Sequence, residues 1–177
     1  MIVETEAYLG VCDRAAHTWN GRRTERVLPM WGPGGHAYVY RIYGIHHCLN
    51  VVTRRKGVPE AVLIRAAVPE RWWQGEEVSR AALLEASGPG RLCRALGITA
   101  ALSGAALSGG GLELRRGPER SFEMVSGPRV GVDYAGEAAT WPLRFAVDGC
   151  EAVTARRSLR RPPASGRRGG PRSPETG

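Results

Sequence analysis

Lysine is almost missing from this chain. Of its 177 residues 25 are basic, and Lys56 is the only lysine among them. The remaining cations are all arginine, the pattern of a GC-rich coding sequence, so the skew is not read as a function. Paired cysteines are missing as well. Cys12, Cys48, Cys93 and Cys150 stand singly with no C-x-x-C, which argues against structural zinc and for free thiols in a reducing compartment. No apolar run is long enough to span a bilayer, and no basic-then-apolar leader opens the chain. The expectation is a cytoplasmic protein. Strong basicity is also lacking where it would count. Of the net charge of +8, the segment 156–177 carries +6, leaving +2 for residues 1–155. Charge alone therefore does not identify a nucleic-acid enzyme. The length suits one domain, placed at residues 1–155. The Arg/Pro/Gly/Ser-rich remainder has too little apolar surface to order itself and reads as a disordered tail that adds, at most, salt-sensitive DNA affinity.

What is present starts at once. The stretch from Ile2 to Gly10, IVETEAYLG, reads as a strand with Glu4, Glu6 and Tyr8 on one face and Val3, Thr5 and Ala7 on the other. Two carboxylates on one strand face repel each other. Either they are solvated at a sheet edge, or they serve a site. An aromatic on the same face, with His17 shortly downstream, fits a wall that holds a flat ring beside a general base.

From Asp13 to Pro33 the chain is polar and turn-rich and reads as an irregular surface loop. Its length argues for function. Residues 36–53 form the clearest hairpin, aromatic and β-branched on both sides of a tip near Gly44. Counting back from the tip places Tyr40 opposite Asn50, within one residue, and leaves Tyr43 at the tip, where an aromatic is hard to bury. Residues 61–68 read as a buried strand interrupted by Arg65, which is either an ion-paired structural residue or part of a site. Helical composition covers 71–86. A second helix starts at the Gly88-Pro89-Gly90 turn and stops at Gly97. Short strands are expected at 112–114, 129–132 and 141–147.

Taken together in order, these blocks resemble the alkyladenine (3-methyladenine, methylpurine) DNA glycosylases of base excision repair. The matching residues are 2–10 with Ala15, Ala16 and His17; 38–44 with Cys48, Leu49 and Asn50; 62–65; 88–97; 129–132; and 142–145. The resemblance implies an α+β fold: one mixed domain, a curved antiparallel sheet with flanking helices and a protruding β-hairpin. It implies hydrolysis of the N-glycosidic bond of alkylated or deaminated purines flipped out of duplex DNA, by a monomer without cofactor. Glu6 then looks like the base that activates water, with Arg65 and the Val130 backbone as its helpers. Tyr8, His17 and Tyr40 look like the walls of the base pocket. Asn50 looks like the residue that rejects guanine, and Tyr43 like the wedge in the vacated minor groove. Lys56, in a turn, is poorly placed as an amine nucleophile, which predicts water-driven chemistry without strand cleavage. A second reading of the same residues is a DNA-binding module without catalysis. The family's helix and strand ahead of the Glu6 strand have no counterpart here, so an exposed edge on that strand is expected. Thr24-Glu25-Arg26 is followed by Val27 where the family tends to have Asn, so a looser His17 loop is expected too.

Overall fold

The computed structural model describes residues 1–117 and 121–161. Six strands make one open antiparallel sheet: β1 (Ile2–Tyr8), β2 (Ala37–Ile42), β3 (His46–Val52), β4 (Ala61–Ala67), β5 (Met124–Gly127) and β6 (Arg144–Val147), in the order β2-β3-β4-β1-β6-β5. With short helices on it, this is the expected mixed α+β fold. β1 is not an edge. β4 pairs along one side of it and β6 along the other, at Glu4, Thr5 and Glu6. The return of β6 supplies the backbone groups that the sequence had left unpaired, and this long-range pairing has no local signature.

The hairpin closes more tightly than expected. Tyr43 and Gly44 both have positive φ, at 50° and 74°, and the Ile45 N–H donates to the Ile42 carbonyl at 3.2 Å. Such a turn matches the twist of the flanking strands. The pairing is centred on Gly44, so Tyr40 faces Cys48, and Tyr38 faces Asn50. The expected register was two residues out. A two-residue slip keeps every side chain on its own face, so the same face survives the error.

Cross-strand register then lines up Tyr38, Asn50, Leu63, Glu6 and Arg144 across five strands. The opposite face carries Val39, Leu49 and Ile64. Against these packs α3 (Pro89–Ala95) through Leu92 and Cys93. Pro89 sits at the first helical turn after Gly88, whose φ is 97°, as the sequence predicted. The single helix expected over 71–86 is instead α1 (Glu70–Trp73) and α2 (Arg80–Glu85), separated at Gly75, where φ is 89°. The strands expected at 112–114 and 129–132 do not form. The latter is a tight loop that leads into the 3-10 segment Asp133–Thr140.

The loop 13–33 is only partly a surface feature. Asp13, Ala15, Ala16, Thr18, Val27 and Met30 are buried in it. At the other end, residues 156–161, assigned by composition to the tail, pack on the sheet. Leu159 joins the cluster around Val3, Ala66 and Ala146, and Arg160 exchanges both backbone hydrogen bonds with Ser126 at 2.8 Å. The expected disorder of the rest of the tail falls on 162–177, outside the described residues. Among the described residues, no helix is long and apolar enough to cross a membrane.

Candidate active site

The aligned face of the sheet floors a cavity of about 340 Å³. Three stretches wall it. The hairpin gives Tyr38, Tyr40, Cys48 and Asn50; β1 and its following loop give Tyr8 and His17; the loop after β5 gives Val130, Gly131 and Val132. The volume lies at the low end of small-ligand pockets and suits one flat ring system.

Glu6 has no exposed surface. Its Oε2 accepts from the Tyr8 hydroxyl at 2.9 Å, and its Oε1 from the Val130 N–H at 2.8 Å. Arg65 Nη1 stands 3.2 Å from the same Oε1. Tyr8, Val130 and Arg65 all line the cavity, so the carboxylate lies directly behind its wall. The solvated-edge reading of the E-x-E pair is thereby overturned. Glu4 is buried too, accepting from Arg65 Nε at 2.7 Å and Arg144 Nε at 2.8 Å. Arg65 is both of the things the sequence left open, an ion-paired strand residue and a cavity residue. Two buried carboxylates against two buried guanidiniums leave no net charge, as burial requires. Burial works against the charge on Arg65, but the Glu6 and Glu4 carboxylates outweigh it and hold its pKa above the ordinary value. Burial, with the Glu6 charge beside it, raises the Tyr8 pKa, so the phenol keeps its proton and donates it.

His17 lies edge-on to Tyr40, with ring centroids 4.5 Å apart, and its Nδ1 is 2.8 Å from the Tyr38 hydroxyl. Burial chiefly, then the charges of Arg26 and Arg22, push its pKa down to about 4. At neutral pH the ring is uncharged. The unfolded chain binds this proton from about pH 6.5 downward, the folded one only near 4. The stability held by neutral His17 is thus complete above 6.5 and lost as pH falls toward 4. We expect the His17 ring resonances to titrate with a midpoint near 4 in an NMR pH series, and a midpoint near 6.5 would contradict this packing.

Asn50 is buried, its amide donating to the Tyr38 carbonyl at 3.1 Å. Tyr43 is 90% exposed at the hairpin tip and stands at the cavity mouth. All eight residues singled out from the sequence thus belong to one constellation. Several others were missed. Tyr38 fixes His17 and shares the strand parity of Tyr40, which was the available signal. Arg129 lies under the Tyr8 ring at 4.7 Å and bonds Asp13, with Nη2 to Oδ1 at 2.8 Å, tying the His17 loop to the Val130 loop. Nothing local in the sequence announces that pair. Burial opposes the Asp13 charge, but Arg129 and the N–H groups of Leu9 and Ala15 prevail and keep its pKa below the usual range.

A buried, triply supported carboxylate behind an aromatic slot is an arrangement for activating water beside a bound ring. Comparisons with known proteins give the family. A "Putative 3-methyladenine DNA glycosylase" of Bacillus cytotoxicus is 46% identical over 158 residues, which cover 81% of this chain and 78% of that protein. One of the same name from Desulfitobacterium hafniense is 43% identical over 167 residues, 86% of this chain and 81% of that protein. The family model for methylpurine-DNA glycosylase matches residues 1–151, and this chain belongs to that family.

Proposed function

We propose that the chain releases alkylated or deaminated purines from duplex DNA by hydrolysis, acting alone and without strand cleavage. The observation that carries this is Glu6, held by Tyr8, Arg65 and the Val130 N–H at the back of an aromatic-walled slot. A base must leave the helix to reach such a slot, at a cost of a few kcal/mol. Tyr43, at the exposed tip, fills the space left in the stack. Tyr8, Tyr40 and His17 enclose the extruded ring, and their faces favour electron-poor, alkylated purines. Asn50 crowds the exocyclic amine of guanine. Once the Tyr8 hydroxyl yields its place on Oε2, Glu6 takes a proton from water there as the water oxygen bonds to C1′. The C1′–N bond breaks, and its electron pair leaves with the purine. Lys56 is exposed in the turn after β3, away from the cavity lining, which supports water rather than an amine as nucleophile. Exposed Arg22, Arg23, Arg26 and Arg41 supply cations for the phosphates. The slot is complete within one chain, which supports a monomer working where DNA is, in the cytoplasm or nucleoid.

The test is incubation with duplex DNA carrying hypoxanthine or ethenoadenine, followed by alkali. Alkali-dependent strand breaks at the lesion support the reading. Breaks without alkali would replace it with a lyase, and binding without any base release would replace it with a non-catalytic DNA-binding module. Tyr43→Ala is expected to weaken binding to the lesion duplex by about ten- to a hundredfold, the worth of one stacked aromatic, with the melting temperature unchanged because the ring touches little in the free protein. Fluorescence anisotropy at fixed salt measures it.

A further inference from the structure

We propose that the strap of residues 153–160, and Thr154 in particular, sets the aim of Arg65 on Glu6; this rests on the glycosylase reading above. Arg65 has three nitrogens to place. Nε donates to Glu4, Nη2 donates to the Thr154 hydroxyl at 3.1 Å, and only Nη1 is left for Glu6. Thr154 also holds Glu4. Its backbone N–H donates to Oε2 at 2.8 Å, and its hydroxyl lies 3.0 Å from both carboxylate oxygens. One hydroxyl therefore accepts from Arg65 and donates to Glu4, fixing both partners at once. With two of its nitrogens pinned from behind, the guanidinium cannot swing without breaking charge-assisted hydrogen bonds.

The strap is itself clamped. Arg144 donates to the carbonyls of Thr154 and Ala155 and to the Ser158 hydroxyl. Leu159 is buried in the core, and Ser126 pairs with Arg160. At Gly127 the strap runs so close that an added Cβ would overlap the Ser158 carbonyl oxygen. These residues follow the stretch 1–151 that the family model matches. Thr154 is a positioning residue: its hydroxyl reaches Glu4 and Arg65, and it acts on Glu6 through Arg65.

Thr154→Val keeps the shape and deletes the hydroxyl. In single-turnover base release from a hypoxanthine duplex, its rate constant is expected to fall about tenfold, the effect of one charge-assisted hydrogen bond on a barrier. The Kd for the same duplex should stay within about twofold, because no strap residue named here lines the slot. Thr154→Ser restores the hydroxyl and should recover the rate to within about threefold. Gly127→Ala moves the strap from outside the site and should reproduce the Thr154→Val loss. The Arg65 Nε–H NMR resonance should shift in both slow variants, a readout independent of activity. The strap proposal fails if Thr154→Val turns over at the wild-type rate, if Thr154→Ser is as slow as Thr154→Val, or if rate and DNA affinity fall together. Should either slow variant not fold, the other decides. A wild-type protein that releases no base overturns the glycosylase reading and this proposal with it, whereas an active wild type with an indifferent Thr154→Val overturns the strap alone.

Discussion

Replacing Glu6 by Gln is expected to lower single-turnover base release by at least a thousandfold while leaving affinity for lesion-bearing DNA within about threefold. General-base catalysis is worth roughly 10²- to 10⁴-fold. The upper part of that range applies because water must be aimed as well as deprotonated. Gln keeps the shape, and its amide oxygen still accepts from the Val130 N–H. Its NH₂ faces the Tyr8 hydroxyl, which can turn to accept. Arg65 loses one carboxylate, which leaves it and Arg144 sharing Glu4, but it keeps its hydrogen bonds to Glu4 at 2.7 Å and to the Thr154 hydroxyl at 3.1 Å, so it stays hydrogen-bonded. The variant should therefore fold, and the loss belongs to the chemical step. Glu6 is itself absent from the slot surface, being covered by Tyr8, Arg65 and Val130, so base stacking has no reason to suffer. Quench-flow on the hypoxanthine duplex, with anisotropy for binding, measures both quantities. A Glu6→Gln protein that retains a tenth of the wild-type rate would remove this carboxylate from the reaction.

What was legible in the sequence is what strand periodicity can carry. Glu4, Glu6 and Tyr8 were assigned to one face by their spacing alone, and the structure keeps them there. The hairpin, too, announces itself through β-branched and aromatic residues around Gly44, so Tyr40, Tyr43 and Asn50 could be related before any coordinates. The two-residue register error was harmless for the reason already given, since parity and not opposition decides which side chains share the slot. The role of the E-x-E pair was not legible. Whether two carboxylates on a strand are solvated or buried depends on which guanidiniums arrive from elsewhere, and Arg144 comes from a strand 140 residues away in sequence from Glu4. The same holds for the edge status of β1. Pairing with β6 is a property of the closed fold, invisible to any local window. Arg129 to Val132 failed differently. Its V-G-V reads as a strand, but Gly131 has φ of 73° and Arg129 is drawn inward by Asp13, so the segment turns and presents an N–H to Glu6. Composition misled at 156–161 as well, where Leu159 is buried among arginines and Arg144 and Ser126 hold the strap by its backbone.

Arg129→Met should be the most destabilising single change outside the strands. It leaves Asp13 with no exposed surface and no counter-charge, and breaking a buried ion pair by removing one partner costs about 3–5 kcal/mol. For a protein of this size that is a fall in Tm of roughly 6–20 °C. The loss has several parts. Arg129 donates to Asp13 through both Nη atoms, to the Ala7 carbonyl at 2.9 Å and to the Ala138 carbonyl at 3.0 Å, and it lies under the Tyr8 ring. Among the described residues, its Nε alone has no hydrogen-bond partner. Methionine covers the ring but satisfies none of the acceptors. Asp13→Asn in the same background should restore part of the stability, because the remaining group is then neutral and its one amide oxygen still accepts from either the Leu9 or the Ala15 N–H, which bond different oxygens of the carboxylate. The double variant should thus melt above Arg129→Met alone, a coupling a thermal-shift cycle reads directly. Activity adds a second signature. Val130 follows Arg129 in the chain, and its N–H is one of three supports for Glu6. Assayed well below its Tm, Arg129→Met should release base at least tenfold more slowly than wild type, since a freed Val130 loop no longer holds the carboxylate. The double variant should stay slow despite its regained stability, because the neutral pair does not rebuild the clamp on Ala7 and Ala138. Recovery of rate in step with Tm would show instead that Arg129 does no more than hold the fold together.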